Sequence, residues 1–269
     1  TRKGVLMGLA GFNSKKAGSV NGGGAISLNS FASGRPIPDH ALAPDAAFRL
    51  DGVMKRGLAL LPLILLVGPV DAADPARGGG KAPRCELLPL PDNQVSFVHE
   101  GREVTRWHFD PKYPRPFFYP FNGPSGVSLT RMGHPGAQNH DHHRSICFAH
   151  AKVEGVDFWS ENTRARVRQK LWFAYEDGDG ESIIATSLGW FDESGSEMID
   201  QELVAASIPL ENNEHLLEIQ ITLRPGSGRE TVTLDKSNFG LFAVRVAKSI
   251  SPHFGGGELT SSEGTRGEK

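Results

Sequence analysis

Five of the ten histidines of this chain lie close together, in the segment from residue 131 to residue 161. Imidazole is the side chain that changes charge near neutral pH, and its neutral form is a common metal ligand. Any one of these histidines alone would be interpreted as a loop or edge residue, but the group predicts a functional site. The five are His134, His140, His142, His143 and His150.

One chemistry that this segment predicts is metal binding. In an extended segment residues two apart share a face, so His140 and His142 would offer two imidazoles to one ion. His150 completes the predicted set of three metal ligands. Three protein ligands and a water are typical of catalytic zinc, and histidine-rich sites also bind copper or iron. The chain has neither an HExxH motif nor Cys2His2 spacing, so the divalent metal stays unassigned. Other third ligands stay open: His134, Asp157 and Glu161.

The same segment also predicts acid/base chemistry without a metal. His142 or His143 would transfer the proton, because a neutral histidine is a general base near pH 7. Arg144 would orient an anionic or hydroxyl-rich substrate, and Glu161 would be the complementary acid. Three further residues are candidates for substrate binding: Arg131, Asp157 and Trp159. For the last two, closure of the core under the loop is the alternative interpretation. Four histidines outside this segment are interpreted as structural: His99, His108, His215 and His253.

The elements that must position these residues are predicted to be β-strands. Alternating polar and apolar residues on both sides of Glu100-Gly101 indicate a hairpin of residues 94–99 and 102–109. Further strands are predicted at residues 164–175, 181–191, 216–223, 230–234 and 239–246. Residues 197–206 fit a helix or a strand. The arginine row of residues 164–170 is interpreted as a solvated sheet face. Many short strands favour a β-sandwich or barrel.

The most specific targeting signal is at residues 54–72. A basic start, an apolar run and small residues at Val70 and Ala72 are the layout of a secretory signal peptide. The apolar run is too short to span a bilayer. We therefore expect a secreted or periplasmic protein with no membrane association after cleavage. Residues 1–53 are then expected to be a disordered upstream extension, residues 73–83 a linker, and residues 84–269 the β-sandwich domain.

Composition excludes one class of partner. The net charge is −2 and the pI is about 6.5, so electrostatics gives no reason to expect nucleic acid. The expected partner is a small molecule or a carbohydrate. The two cysteines, Cys85 and Cys147, cannot build a disulfide framework, and whether they form one bridge depends on geometry.

One motif resembles a known family. The pattern H-x-H-H-R-S at residues 140–145, followed by F-A-H at 148–150 and D-F-W-x-E at 157–161, resembles the PmoA-like family of secreted bacterial proteins, filed as "methane oxygenase". Residues 115–131, 238–249 and 255–264 are similar to the same family. The chain departs from the family pattern at Asn139, Asp141 and Cys147, where an acidic residue, a proline and an aromatic residue are usual.

The resemblance implies a galactose-mutarotase-like antiparallel β-sandwich. Family members continue with a further β-rich portion, so the domain is expected to be incomplete at its C-terminal side. The particulate methane enzyme's subunit of similar name spans the membrane several times, whereas the apolar run of this chain is a signal peptide. Three functions are therefore hypotheses: a carbohydrate-active protein with histidine acid/base chemistry, a metal-dependent oxidoreductase as the label suggests, and a non-catalytic sugar-binding or structural module.

Overall fold

Two antiparallel sheets form the protein in this computed structural model, which describes residues 4–10, 82–137, 140–258, 260 and 264–266. Within these residues the strands are β1 (Gly4–Ala10), β2 (Cys85–Leu90), β3 (Gln94–His99), β4 (Arg102–His108), β5 (Phe117–Phe121), β6 (Ile146–His150), β7 (Arg166–Glu176), β8 (Ser182–Phe191), β9 (Glu197–Pro209), β10 (His215–Pro225) and β11 (Gly240–Val244). One sheet has the order β11-β6-β5-β4-β3-β2 and the other β1-β10-β9-β8-β7. The described helices are short: α1 (Pro252–Gly255) and the 3-10 turns Glu211–Asn213 and Lys248–Ile250. The predicted all-β sandwich is confirmed.

The predicted hairpin is present as β3 and β4. Its turn residues, Glu100 and Gly101, have φ angles of 48° and 77°, the left-handed conformation that favours two-residue hairpin turns. On β3, Val95 and Phe97 are buried, so the apolar face of the hairpin is turned into the core. The hairpin continues the sheet on both sides, since β3 pairs with β2 and β4 pairs with β5.

The core lies between the two sheets. Phe97 and Phe118 come from the first sheet, with ring centroids 6.1 Å apart, and Leu188 and Trp190 come from the second; all four are buried. The indole N–H of Trp190 donates to Oε1 of Gln201 at 2.7 Å, so its polar atom is satisfied inside the core. Each fully buried side chain of this size contributes about 1.5–3 kcal/mol.

Strand β7 differs from the predicted alternation. Its pairing with β8 has two irregularities, between Gln169 and Leu171 and between Trp172 and Ala174. Leu171 is 62% exposed, and its neighbours Trp172 and Phe173 are exposed as well, so both faces of this part of the edge strand are open to solvent. Alternation in the sequence reveals neither the inserted residues nor which part of an edge strand lacks a covering layer.

The structure decides one open sequence prediction and corrects another. Residues 197–206, where helix and strand both fitted, lie within β9. Residues 230–234, predicted to form a strand, make instead a single bridge between Leu234 and Val153. The two cysteines, Cys85 and Cys147, are buried free thiols, so no disulfide links them.

The predicted domain organisation lies partly beyond the described residues. The predicted signal peptide, residues 54–72, is outside them, as is most of the linker at 73–83. Residues 4–10, within the segment expected to be disordered, form β1 along β10. Across the part of the chain that is described, no helix has the length and hydrophobicity needed to cross a membrane.

Candidate functional site

Three chain segments meet at the base of the histidine-bearing loop. The amide of Arg131 donates to the carbonyl of Arg245 at 2.9 Å, the amide of Ser145 donates to the carbonyl of Arg131 at 3.0 Å, and the amide of Arg245 donates to the carbonyl of Ser145 at 2.7 Å. The three bonds close a backbone ring. Inside the loop, the amide of Gly133 donates to the carbonyl of His143 at 2.8 Å. Both ends of the loop are therefore fixed.

The loop brings four imidazoles together, and α1 adds a fifth. His143 is central, with its ring centroid 4.6 Å from that of His142, 4.9 Å from that of His140 and 5.4 Å from that of His134. His134 and His140 are 5.1 Å apart. His253, interpreted from the sequence as structural, lies 6.1 Å from His134. We call these five residues the histidine cluster.

His150 is not part of the histidine cluster. It lies at the far end of β6 from the loop, it is buried, and its Nε2 is 2.8 Å from the carbonyl oxygen of Asp235. The structure therefore brings His140 and His142 together but not the predicted third metal ligand. Within the described residues, no three His, Cys, Asp or Glu side chains are placed so that they could hold a metal ion.

Glu161 is held by two arginines. Nε and Nη2 of Arg144 donate to its two carboxylate oxygens at 2.8 and 2.7 Å, a bidentate pair. Nη1 of Arg115 is 3.4 Å from the same carboxylate. The Arg144 guanidinium also lies over the rings of Tyr113 and Phe117, at 4.8 and 5.6 Å. The two residues predicted to orient substrate and supply a proton are thus engaged with each other.

Arg115 connects this ion pair to the histidine cluster. It is 2% exposed, and its guanidinium donates to the carbonyls of Phe158 at 3.1 Å, Trp159 at 2.8 Å and His142 at 2.7 Å. One buried cation therefore holds the backbone at His142 and the backbone beside Glu161 in fixed relation. A buried guanidinium needs this many acceptors because its five N–H groups can no longer donate hydrogen bonds to water.

Asp157 and Trp159, two of the three residues predicted to bind substrate, make their contacts within the protein. Oδ1 of Asp157 accepts the amides of Trp159 and Ser160, at 2.7 and 3.0 Å, and its Oδ2 accepts the Ser160 hydroxyl at 2.5 Å. Trp159 is buried and lies 6.0 Å from the Arg115 guanidinium. This arrangement matches the alternative interpretation, in which these residues close the core under the loop. Arg131, in contrast, lies at the cluster, with its guanidinium 5.7 Å from the ring of Phe254 on α1.

Burial and nearby arginines keep histidines of the cluster neutral. Burial, with Arg245 as the next cause, lowers the pKa of His143 from 6.5 to about 3. Burial and then Arg115 lower the pKa of His142, and burial and then Arg131 lower that of His134. A neutral imidazole offers one N–H donor and one nitrogen acceptor, so these rings can bind polar groups of either kind at pH 7.

Several buried polar atoms of the site have no hydrogen-bond partner among the described residues. They include Nδ1 of His134 and of His143, Nε of Arg131 and of Arg245, and the hydroxyl of Ser145. Buried polar groups are normally paired, because an unmade hydrogen bond costs about 1–3 kcal/mol. Unpaired groups concentrated at one place are a feature of a binding site.

The sequence interpretation missed three residues of the site: Arg115, Arg245 and His253. Arg115 begins the RPFFYPF segment, where the aromatic residues were the stronger signal. Arg245 and His253 are far from the loop in sequence. Arg245 directly follows β11, whose pairing with β6 brings it near the loop, and His253 lies on α1 further along the chain. A count of histidines and arginines by position contains no information on that pairing.

Comparison with known proteins identifies a family but no activity. No curated protein matches the chain, and no solved structure does. Residues 94–269 match the model of a family described as "Family of unknown function (DUF6807)", and this range contains the whole histidine cluster and the arginines around it. The chain belongs to this family of unknown function.

Proposed function

We propose that this protein is carbohydrate-active: the histidine cluster binds a hydroxyl-rich small molecule and carries out acid/base chemistry on it. The observation that supports this is the convergence of five imidazoles, with buried and unpartnered Nδ1 atoms on His134 and His143. Each sugar hydroxyl is both donor and acceptor, as is each neutral imidazole. A cluster of neutral imidazoles is therefore complementary to a set of neighbouring hydroxyls.

Two histidines have different roles in this proposal. A general base works best when its pKa is near the operating pH. His143, with a pKa of about 3, is too weakly basic for that and binds the ligand as a neutral hydrogen-bonding group. His142 is the base, since its backbone is fixed by Arg115 and Glu161 opposes the lowering of its pKa. Arg144 and Glu161 position the loop rather than touch substrate.

Glycoside binding and turnover test the proposal. The full chain is titrated calorimetrically with methyl glycosides of glucose, galactose and mannose and with disaccharides, and hydrolysis or isomerisation is followed by NMR. We expect saturable binding that His143→Gln weakens at least tenfold, and turnover that His142→Gln abolishes. The matched control is His215→Gln, because His215 pairs with His99 outside the cluster. Wild-type binding by the cluster variants, or no binding of any glycoside, neutral or acidic, would refute the proposal.

A metal-dependent oxidoreductase, the activity that the resemblance to PmoA-like proteins suggested, is the second candidate. The specific observation in its favour is that the ring centroids of His134, His140 and His143 are 4.9–5.4 Å apart. A tetrahedral zinc ion would need the nitrogens of these rings to turn toward a shared point, because the described side chains as placed form no metal-binding group. It ranks second because Arg131 and Arg245 place positive charge beside these rings, which opposes a second cation. Stoichiometric zinc, copper or iron in the purified protein, lost in His143→Gln, would reverse this order.

The third hypothesis, a non-catalytic sugar-binding module, differs in its outcome: glycosides would bind, and no variant or condition would produce turnover. Export through the signal peptide of residues 54–72 is also part of the proposal. Expression from Met54 in a bacterial host, followed by N-terminal sequencing of the periplasmic or secreted product, tests it. A mature protein that begins at Ala73 is expected, and retention of residues 54–72 in the cytoplasm contradicts it.

A further inference from the structure

We propose that the sugar bound at the histidine cluster carries an anionic group, a carboxylate or a sulfate, which binds between Arg131 and Arg245. This inference rests on the proposed function and specifies its substrate class. It begins from the backbone ring, which joins Arg131 directly to Arg245 and places Ser145 against both. The ring holds the two arginines side by side, and each acts electrostatically on His143.

The positive charges of Arg131 and Arg245 are not balanced by carboxylates among the described residues. Among the described residues, no carboxylate forms an ion pair with Arg131 or Arg245. Glu161 is already paired with Arg115 and Arg144. Asp141, the acidic residue of the loop itself, is exposed. The arginines therefore leave an excess of positive charge next to rings that are themselves neutral.

The unpartnered polar groups beside Arg131 and Arg245 are hydrogen-bond donors, which an oxyanion can satisfy. Nε of Arg131 and Nε of Arg245 are buried N–H donors without partners among the described residues. Ser145, which is fully buried between them, has an unpartnered hydroxyl. A carboxylate or sulfate presents several acceptor oxygens, and arginine binds both in charge-assisted hydrogen bonds.

An anion accounts for these observations better than a neutral sugar or a metal ion does. A neutral sugar would leave the adjacent guanidinium charges uncompensated, and a metal cation would add to them. An acidic sugar supplies oxygens to the arginine side and hydroxyls to the imidazole side. Because both sides belong to one loop and one backbone ring, a single monosaccharide unit is the size of ligand that the inference requires.

The test compares acidic sugars with their neutral counterparts on the full chain. Methyl glucuronide and methyl galacturonide are titrated against methyl glucoside and methyl galactoside, and galactose 6-sulfate distinguishes sulfate from carboxylate. We expect the acidic form to bind at least tenfold more tightly, with an affinity that falls as salt is raised. Arg245→Gln should remove this preference, and Arg245→Lys should retain part of it. Arg131→Gln is the independent second variant.

Arg102→Gln is the matched control, since Arg102 is exposed at the start of β4 and takes no part in the site. It removes one positive charge and should leave both affinities unchanged. If neutral glycosides bind as tightly as acidic ones, the inference fails while the proposed function stands. If no sugar binds, the proposed function fails as well. If acidic sugars keep their advantage in both Arg245→Gln and Arg131→Gln, with folding confirmed by circular dichroism, the assignment to these arginines is wrong.

Discussion

Replacing Glu161 with glutamine removes the carboxylate that pairs with both Arg115 and Arg144. The side chains of Arg115, Glu161 and Arg144 are 1%, 11% and 14% exposed, so solvent screens the pairs weakly. Breaking a buried pair by removing one partner costs about 3–5 kcal/mol, because the remaining charge is buried without compensation. Arg115 keeps its carbonyl acceptors on Phe158, Trp159 and His142. We therefore expect a loss of about 3–5 kcal/mol in the free energy of unfolding, carried mainly by Arg144.

Urea unfolding followed by tryptophan fluorescence measures this loss. With a slope of about 2 kcal/mol/M, 4 kcal/mol lowers the midpoint by about 2 M. The matched control is Glu193→Gln, whose partner Arg164 is 4.0 Å away and whose pair is mostly exposed, at 83% and 49%. That change should cost less than about 0.5 kcal/mol. A loss below about 1 kcal/mol for Glu161→Gln would refute the structural role of Glu161.

Three further predictions concern stability. The pKa of His143 is lowered in the folded state, so protons bind preferentially to the unfolded chain. The stability that His143 contributes is present above pH 6.5 and is lost as the pH falls toward 3, by up to about 2 kcal/mol between pH 7 and 5. His143→Gln should therefore flatten the pH dependence of the free energy of unfolding, measured by urea denaturation at several pH values in this range. Gln201→Leu leaves the buried Trp190 indole N–H unpaired and should cost about 1–3 kcal/mol by urea unfolding, whereas an unchanged midpoint would mean that the bond is not made. Gly240→Ala should destabilise by more than about 1 kcal/mol in thermal unfolding, because Gly240 has φ of 142° and an added Cβ would lie 2.4 Å from Nδ1 of His150; an unchanged Tm would contradict this packing.

The hairpin and the long strands of the second sheet were predictable from the sequence, and the short strand β6 was not. The hairpin of β3 and β4 has a glycine in its two-residue turn, and β8, although buried on both faces, is a run of ten residues between turns. Strand β6, in contrast, buries Ile146, Cys147, Ala149 and His150, so no alternation marks it. Because β6 has only five residues and directly follows the histidine-bearing loop, the sequence interpretation did not separate it as a strand.

The local half of the candidate site was predictable, and the long-range half was not. His140, His142 and His143 converge because they are neighbours on one loop, which their spacing already indicates. The ion pairing of Glu161 depends partly on Arg115, and no local sequence pattern reveals that Arg115 is buried. His150 separates from the cluster because β6 carries it away, and a strand at that position was not predicted.

The backbone ring of Arg131, Ser145 and Arg245 has a consequence for biosynthesis. Its first and last members are separated by more than a hundred positions, so its bonds are among the long-range contacts that form slowly. During translation the first members emerge from the ribosome well before the last one does. Until then the loop lacks one of its anchors, and a nascent chain can pair β2 to β6 of the first sheet before the histidine-bearing loop is fixed.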